Sequence, residues 1–159
     1  MRTKRRDDLI IVKEARIENT VTIGGTAVTA TASEINVLDG AVAGATITVG
    51  DEVENVVPVT IQLNDAKGAA IAARACILAY ITSDANGDTF NTTAGMTVGT
   101  GTDGTALALV ADKVALLISE ADGNIDLTVE HDDTASAYLH LVMPNGKKVA
   151  SGALTWAGG

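Results

Sequence analysis

The chain has 159 residues, with 11 Lys and Arg against 20 Asp and Glu for a net charge of −9, and it is 47% hydrophobic but only 3% aromatic. This is the length of one domain with enough apolar residues for a core, and the acidic balance excludes a protein that grips nucleic acid over its whole surface, where phosphates demand Lys and Arg. The single cysteine excludes a disulfide scaffold, and no segment approaches the run of about twenty apolar residues that a membrane helix needs.

The charge is unevenly placed. Residues 1–16 hold Arg2, Lys4, Arg5, Arg6, Lys13 and Arg16 against Asp7, Asp8 and Glu14, whereas 17–159 hold five basic and seventeen acidic residues. A basic arm ahead of an acidic body is the pattern of a tail that meets an anionic partner. Within the arm, Leu9–Val12 reads as a short strand. It is too short for the apolar region of a secretory signal, so folding in the cytoplasm is expected, where one unpaired cysteine stays reduced. Ile17–Ile23 is a second strand and Gly24-Gly25 a turn.

Thr31–Gly40 has the logic of a short helix. Thr31 or Ser33 serves as N-cap, Glu34 puts acid in the first turn, Ile35 and Leu38 share a face, and Gly40 terminates it. Two turns cannot stand alone, and residues 41–50 read as a thin strand or linker. The first fifty residues are too poor in bulky side chains for a core of their own, which places a boundary between 1–50 and 51–159.

The body is rich in Val, Ile and Thr, which suit a pleated surface. Val57, Val59, Ile61 and Leu63 alternate with Thr60, Gln62 and Asn64. Asp65–Gly68 is a turn, and Ile71–Thr82 reads as one long central strand, largely apolar on both faces, with Arg74, Cys76, Leu78 and Tyr80 on one of them. Ser83–Asp88 is a loop. Met96–Val98, Leu107–Val110 and Val114–Ser119 are strands, and Asp122-Gly123 reads as a hairpin turn into Ile125–Glu130. After the polar loop His131–Thr134 come Tyr138–Met143, a tight turn at Pro144–Lys147, and a last strand at Lys148–Trp156. The pattern predicts an all-β chain: an immunoglobulin-like β-sandwich of about seven strands with an extended N-terminal arm, with a jelly roll or small barrel as the competing architecture.

Residues able to carry chemistry are few. His131 reads as a solvated loop residue and His140 as a strand residue, neither beside a serine in a nucleophile-elbow context. Asp84-Ala85-Asn86-Gly87-Asp88 opens like a calcium loop, but Thr89 stands where glycine is required and no glutamate follows at the right spacing, so it reads as a turn. Cys76 reads as a buried, inert thiol. Gly99–Gly104 lacks the lysine of a phosphate loop, and four aromatic residues do not furnish a sugar cleft. No enzyme, no cofactor and no metal site are expected.

The phrase Thr31-Ala32-Ser33-Glu34-Ile35-Asn36-Val37-Leu38-Asp39-Gly40, after Val21–Val28, resembles a phrase of tailed-bacteriophage virion proteins, fibres and head fibres above all. Val59–Gly68, Ala72–Arg74, Ser119–Thr128 and Met143–Lys147 resemble the immunoglobulin-like domain of phage capsid decoration proteins. The resemblance implies a structural virion protein, made in the host cytoplasm, that sits on the capsid exterior as a homo-trimer. Its partner would be the phage major capsid protein, with no direct contact to nucleic acid or membrane. On that footing Arg2, Lys4, Arg5, Arg6, Leu9, Ile10, Ile11 and Val12 are the capsid-attachment candidates, the apolar four adding as a strand to an exposed edge. Val21, Ile23, Ile35 and Leu38 are the candidates for contact between copies. The alternative is a phage fibre or receptor-binding module that attaches to the host surface.

Overall fold

The computed structural model describes residues 22–23, 25–30, 41–91 and 97–158. The chain divides into two units, Met1–Ile35 and Asn36–Gly159. In the first, β1 (Thr22–Ile23) pairs antiparallel with β2 (Thr26–Ala27), and Gly25, at φ +85°, supplies the left-handed turn between them.

Among the described residues, the second unit holds nine strands: β3 (Gly44–Val49), β4 (Val56–Asn64), β5 (Cys76–Thr82), β6 (Thr97–Thr100), β7 (Thr105–Val110), β8 (Val114–Ile118), β9 (Asn124–Glu130), β10 (Ala135–Val142) and β11 (Lys148–Trp156). They form two antiparallel sheets, one ordered β3-β4-β9-β6 and the other β11-β10-β5-β8-β7. These are the spatial orders A-B-E-D and G-F-C-C′-C″ of a variable-type immunoglobulin domain. The chain order differs in one stretch: after β5 it visits the D position, then C″, then C′, before returning to E. The protein is therefore an all-β, immunoglobulin-like sandwich, with no helix among the described residues.

Strict alternation builds the core. Val57, Val59, Ile61 and Leu63 from β4 and Ile125, Leu127 and Val129 from β9 face Ile77, Ala79 and Ile81 from β5, Leu117 from β8, and Ala137, Leu139 and Leu141 from β10. All are buried, and each fully buried aliphatic side chain contributes about 1.5–3 kcal/mol. Leu154 and Trp156 close the core from β11.

Four expectations change. Nine strands form the sandwich instead of about seven, and β3 pairs residue for residue with β4, from Gly44↔Asn64 to Val49↔Val59. Residues 44–49 thus belong with the body, where the sequence reading put a boundary at 50. The long strand Ile71–Thr82 is broken: the Ile71 amide still donates to the Leu63 carbonyl in the four-stranded sheet, and the chain then crosses to begin β5 at Cys76. Asp122-Gly123 is not a hairpin turn. It carries the chain from β8 in one sheet to β9 in the other, because β9 finds its partner in β4, Val59 opposite Leu127.

Candidate functional site

The outward residues of the two sheets differ in kind. On the four-stranded sheet they are, beside Val56 and Pro58, mostly polar: Thr46, Thr48, Thr60, Gln62, Asn64, Asn124, Asp126, Thr128 and Glu130. They bond to one another: Thr60 Oγ1 donates to Asp126 Oδ1 at 3.1 Å, Thr102 Oγ1 to Asp126 Oδ2 at 2.7 Å, and Asn64 Nδ2 to Thr46 Oγ1 at 2.8 Å. This face is made for water.

The five-stranded sheet is the opposite. Its register sets Leu107, Leu116, Leu78 and Val142 side by side across four strands, ending at Lys148 on β11. One row away, Thr105, Ile118 and Cys76 are aligned. Leu107 is 58% exposed, Leu109 54% and Ile118 37%. Cys76 is exposed too, which corrects the expectation of a buried thiol: the parity that sends Ile77 and Ala79 inward sends Cys76 outward with Leu78.

One end of this face is covered. The loop 83–90 folds back so that Thr82 bridges Phe90, and Tyr80 lies between Phe90, 5.8 Å away, and His140, stacked at 5.1 Å. The Tyr80 hydroxyl donates to the Gly87 carbonyl at 3.3 Å, and Lys148 Nζ donates to that of Asn86. Burial, then the charges of Asp84 and Asp88, push the Tyr80 hydroxyl above its ordinary range. Gly87, at φ +77°, lies against the His140 ring, where a Cβ would come within 2.8 Å of Cε1.

Asp84 organises the loop. Its Oδ1 accepts from the Gly87 amide at 2.7 Å and its Oδ2 from the Thr89 amide at 2.8 Å. Partial burial disfavours the carboxylate, but these hydrogen bonds outweigh it and hold the group well below the usual range. The stretch that opens like a calcium loop thus points its first carboxylate at its own backbone. Among the described residues no group of three or more His, Cys, Asp or Glu is placed to hold a metal ion. Asp122 is likewise held low, by the Asn124 amide and side chain. A carboxyl lower in the folded than in the unfolded chain stabilises above its unfolded value and loses that contribution as pH falls through the folded one. The melting midpoint is therefore expected to fall as pH drops below about 4, and Asp84→Asn to flatten that fall. Differential scanning fluorimetry across pH checks this, and an unchanged pH profile for the variant would contradict it.

The histidines are both buried. His131 is 1% exposed, not solvated as its polar surroundings in sequence suggested, because its ring packs 5.7 Å from Trp156 while Nδ1 accepts from the Asp133 amide at 3.2 Å. His140 lies under the 83–90 loop with Nε2 3.4 Å from the Asp84 carbonyl. Ser119 and Ser151 spend their hydroxyls on the backbone of Ala75, Ala73, Leu139 and Gly152, so neither forms a nucleophile–base pair with an imidazole. Residues 97–103 do not cradle phosphate but run along β9, the Gly101 amide donating to Asp126 and the Asp126 amide to Asp103.

Of the sequence-selected site residues, Arg2, Lys4, Arg5, Arg6, Leu9, Ile10, Ile11, Val12, Val21, Ile35 and Leu38 lie outside the described residues, as does the helix expected over Thr31–Gly40. Ile23 lies in β1. The apolar outer row Leu107–Leu116–Leu78–Val142 was missed. Its signal was present in the two-sided apolar pattern of residues 76–82, which marks either a central strand or a strand with an unfinished face.

No family model matches the chain, and no curated protein does. Among solved structures it is similar to a cohesin module from a Clostridium perfringens ATCC13124 family 33 glycoside hydrolase, at 12% identity over 73% of this chain and 94% of that one, with a TM-score of 0.37.

Proposed function

We propose that this chain is a structural virion protein that binds the outer surface of a tailed-phage capsid and decorates or stabilises it, without catalytic activity. The observation that carries the reading is the ten-residue phrase Thr31–Gly40 ahead of an immunoglobulin-like body. The body supports it in kind. Its polar groups are spent on one another and on the backbone, as in the Thr60–Asp126–Thr102 set and the Asp84 loop. Its Thr- and Asn-rich face suits a solvated exterior, and the acidic balance keeps many copies from coalescing. In this reading the basic arm 1–16 docks on the major capsid protein, through Arg2, Lys4, Arg5 and Arg6 and a strand from Leu9 to Val12.

Immunogold negative-stain microscopy of the source virion, with antibody raised against the full chain, tests the proposal. Regular labelling over the head is the expected result. Labelling confined to tail tips or fibres would replace it with the receptor-binding alternative, and unlabelled virions would overturn both.

A further inference from the structure

We propose that the outer face of the five-stranded sheet is the seat of a second copy of this chain, packed face to face about a two-fold axis. The face is an unusual one for water. Its outward positions are Cys76 and Leu78 on β5, Val114, Leu116 and Ile118 on β8, Thr105 and Leu107 on β7, and Ser136, Tyr138 and Val142 on β10, with Tyr80 and His140 beneath the 83–90 loop. None of these carries a formal charge, and Lys148 marks the edge. None is among the side chains packed against the sandwich core. The other sheet shows what this chain does with a face meant for solvent: Thr, Asn, Gln and Asp at every outward position of its two central strands except Val56, Pro58 and Glu130.

Two features select a copy of the same chain as the occupant. The first is charge. The chain is strongly acidic, at −9, so two copies repel wherever carboxylates face one another. Here the strands present none. Around them lie the Arg74–Glu120 ion pair at 2.6 Å, Lys148, the Asp112-Lys113 turn, the Asp84 and Asp88 loop, and Asp132 and Asp133 ahead of β10. By contrast Asp126 and Glu130 on the other sheet have no basic residue beside them in the strand register. Like-charged copies meet with least repulsion on the uncharged face.

The second feature is area. Five strands about 4.8 Å apart, each presenting about four residues at about 3.4 Å rise once the end under the 83–90 loop is left out, give a rectangle of roughly 24 by 14 Å, or about 330 Å². Two copies then bury about 650 Å² before side-chain relief is added, the size of a weak, reversible contact that a dilution series reads. Packed about a two-fold axis, the same patch serves both copies, so the contact is isologous and closes as a pair. The row Leu78–Leu116 sits at its centre, where it is fully dried, which is the position that carries most of the energy in an interface.

Cys76 provides an internal reporter, since it is the chain's only cysteine, is exposed, and lies on this face one row from Leu78. The test uses the full chain. Its mass is measured by light scattering across a dilution series, alongside the rate at which a maleimide labels Cys76. The expected result is association in multiples of two 16.2 kDa chains, with labelling that slows as concentration rises. Leu78→Glu combined with Leu116→Glu should halve the associated mass and make labelling fast at every concentration, while far-UV circular dichroism stays that of the wild type. Because the Cys76 rate is read on the wild-type chain, a variant that fails to fold does not leave the question open. A labelling rate independent of concentration overturns the proposal. If that rate is also suppressed on assembled particles, the face belongs to a different protein.

Discussion

Replacing Trp156 with alanine is expected to cost about 4 kcal/mol of folding stability. The indole is 2% exposed at the end of β11, opposite Ala135 in the register, and packs against the His131 ring. Deleting it removes the largest side chain in the core and leaves a void beside a buried imidazole that has no other aromatic partner among the described residues. Trp156→Phe is the control. The indole Nε1 has no hydrogen-bond partner, so phenylalanine removes an unsatisfied donor while keeping most of the volume, and its cost should stay below about 1.5 kcal/mol. Urea unfolding followed by far-UV circular dichroism measures both. A cost below about 1 kcal/mol for the alanine variant would mean that this end of the sandwich is not packed as described.

Gly123→Ala is the second large effect. Gly123 sits at φ +81° in the turn between β8 and β9, and a Cβ there would lie 2.5 Å from the Ile71 carbonyl oxygen and 2.9 Å from Gln62 Nε2. The left-handed conformation alone costs an alanine about 1 kcal/mol. The contact with a backbone oxygen cannot be relieved by turning a side chain, because the Ile71 amide is itself bonded to Leu63 and the Leu63 amide to Gly123. The total should reach about 3 kcal/mol, in the range of backbone strain with overpacking. Gly146→Ala separates the two contributions. Gly146 has φ +80° with nothing within 4 Å of its Cβ position, so it bears only the conformational cost of about 1 kcal/mol. Equal losses at the two sites would contradict the close approach at Gly123.

Much of the fold was legible because alternation at period two is written by single residues. Val57, Val59, Ile61 and Leu63 announced both the strand and its buried face, and the structure buries all four. Legibility failed where pairing depends on distant partners. Nothing local to Asp122-Gly123 distinguishes a hairpin from a crossing between sheets; the difference lies in β4, which offers β9 a ladder from Val56↔Glu130 to Gln62↔Asn124. Nor does the largely apolar run from Ile71, interrupted only by Arg74, reveal that its first residue serves one sheet and Cys76 the other. The histidines fail for a similar reason. His131 stands before two aspartates, a solvent signature, yet Trp156, far along the chain, comes back to cover it. At the candidate site, residues 76–82 showed two apolar faces, which sequence reading resolved as central burial. The strand is central, between β10 and β8, but centrality within a sheet says nothing of what lies above it.

The visiting order of the strands has a consequence for how the chain reaches this state. Among the described strands of the sandwich, only β3–β4, β7–β8 and β10–β11 are joined to their sheet partners by short connections. The B–E pairing at the heart of one sheet joins Thr60 to Asp126, 66 residues apart, and the C–F pairing in the other joins Tyr80 to His140. A topology with so many distant pairings folds in milliseconds to seconds, far slower than a helical bundle of the same size. During that interval the uncharged strands β5, β7 and β8 are exposed, free to meet the same strands of another copy. The seventeen carboxylates of residues 17–159 then serve a kinetic purpose, holding unfinished copies apart until each sheet has closed.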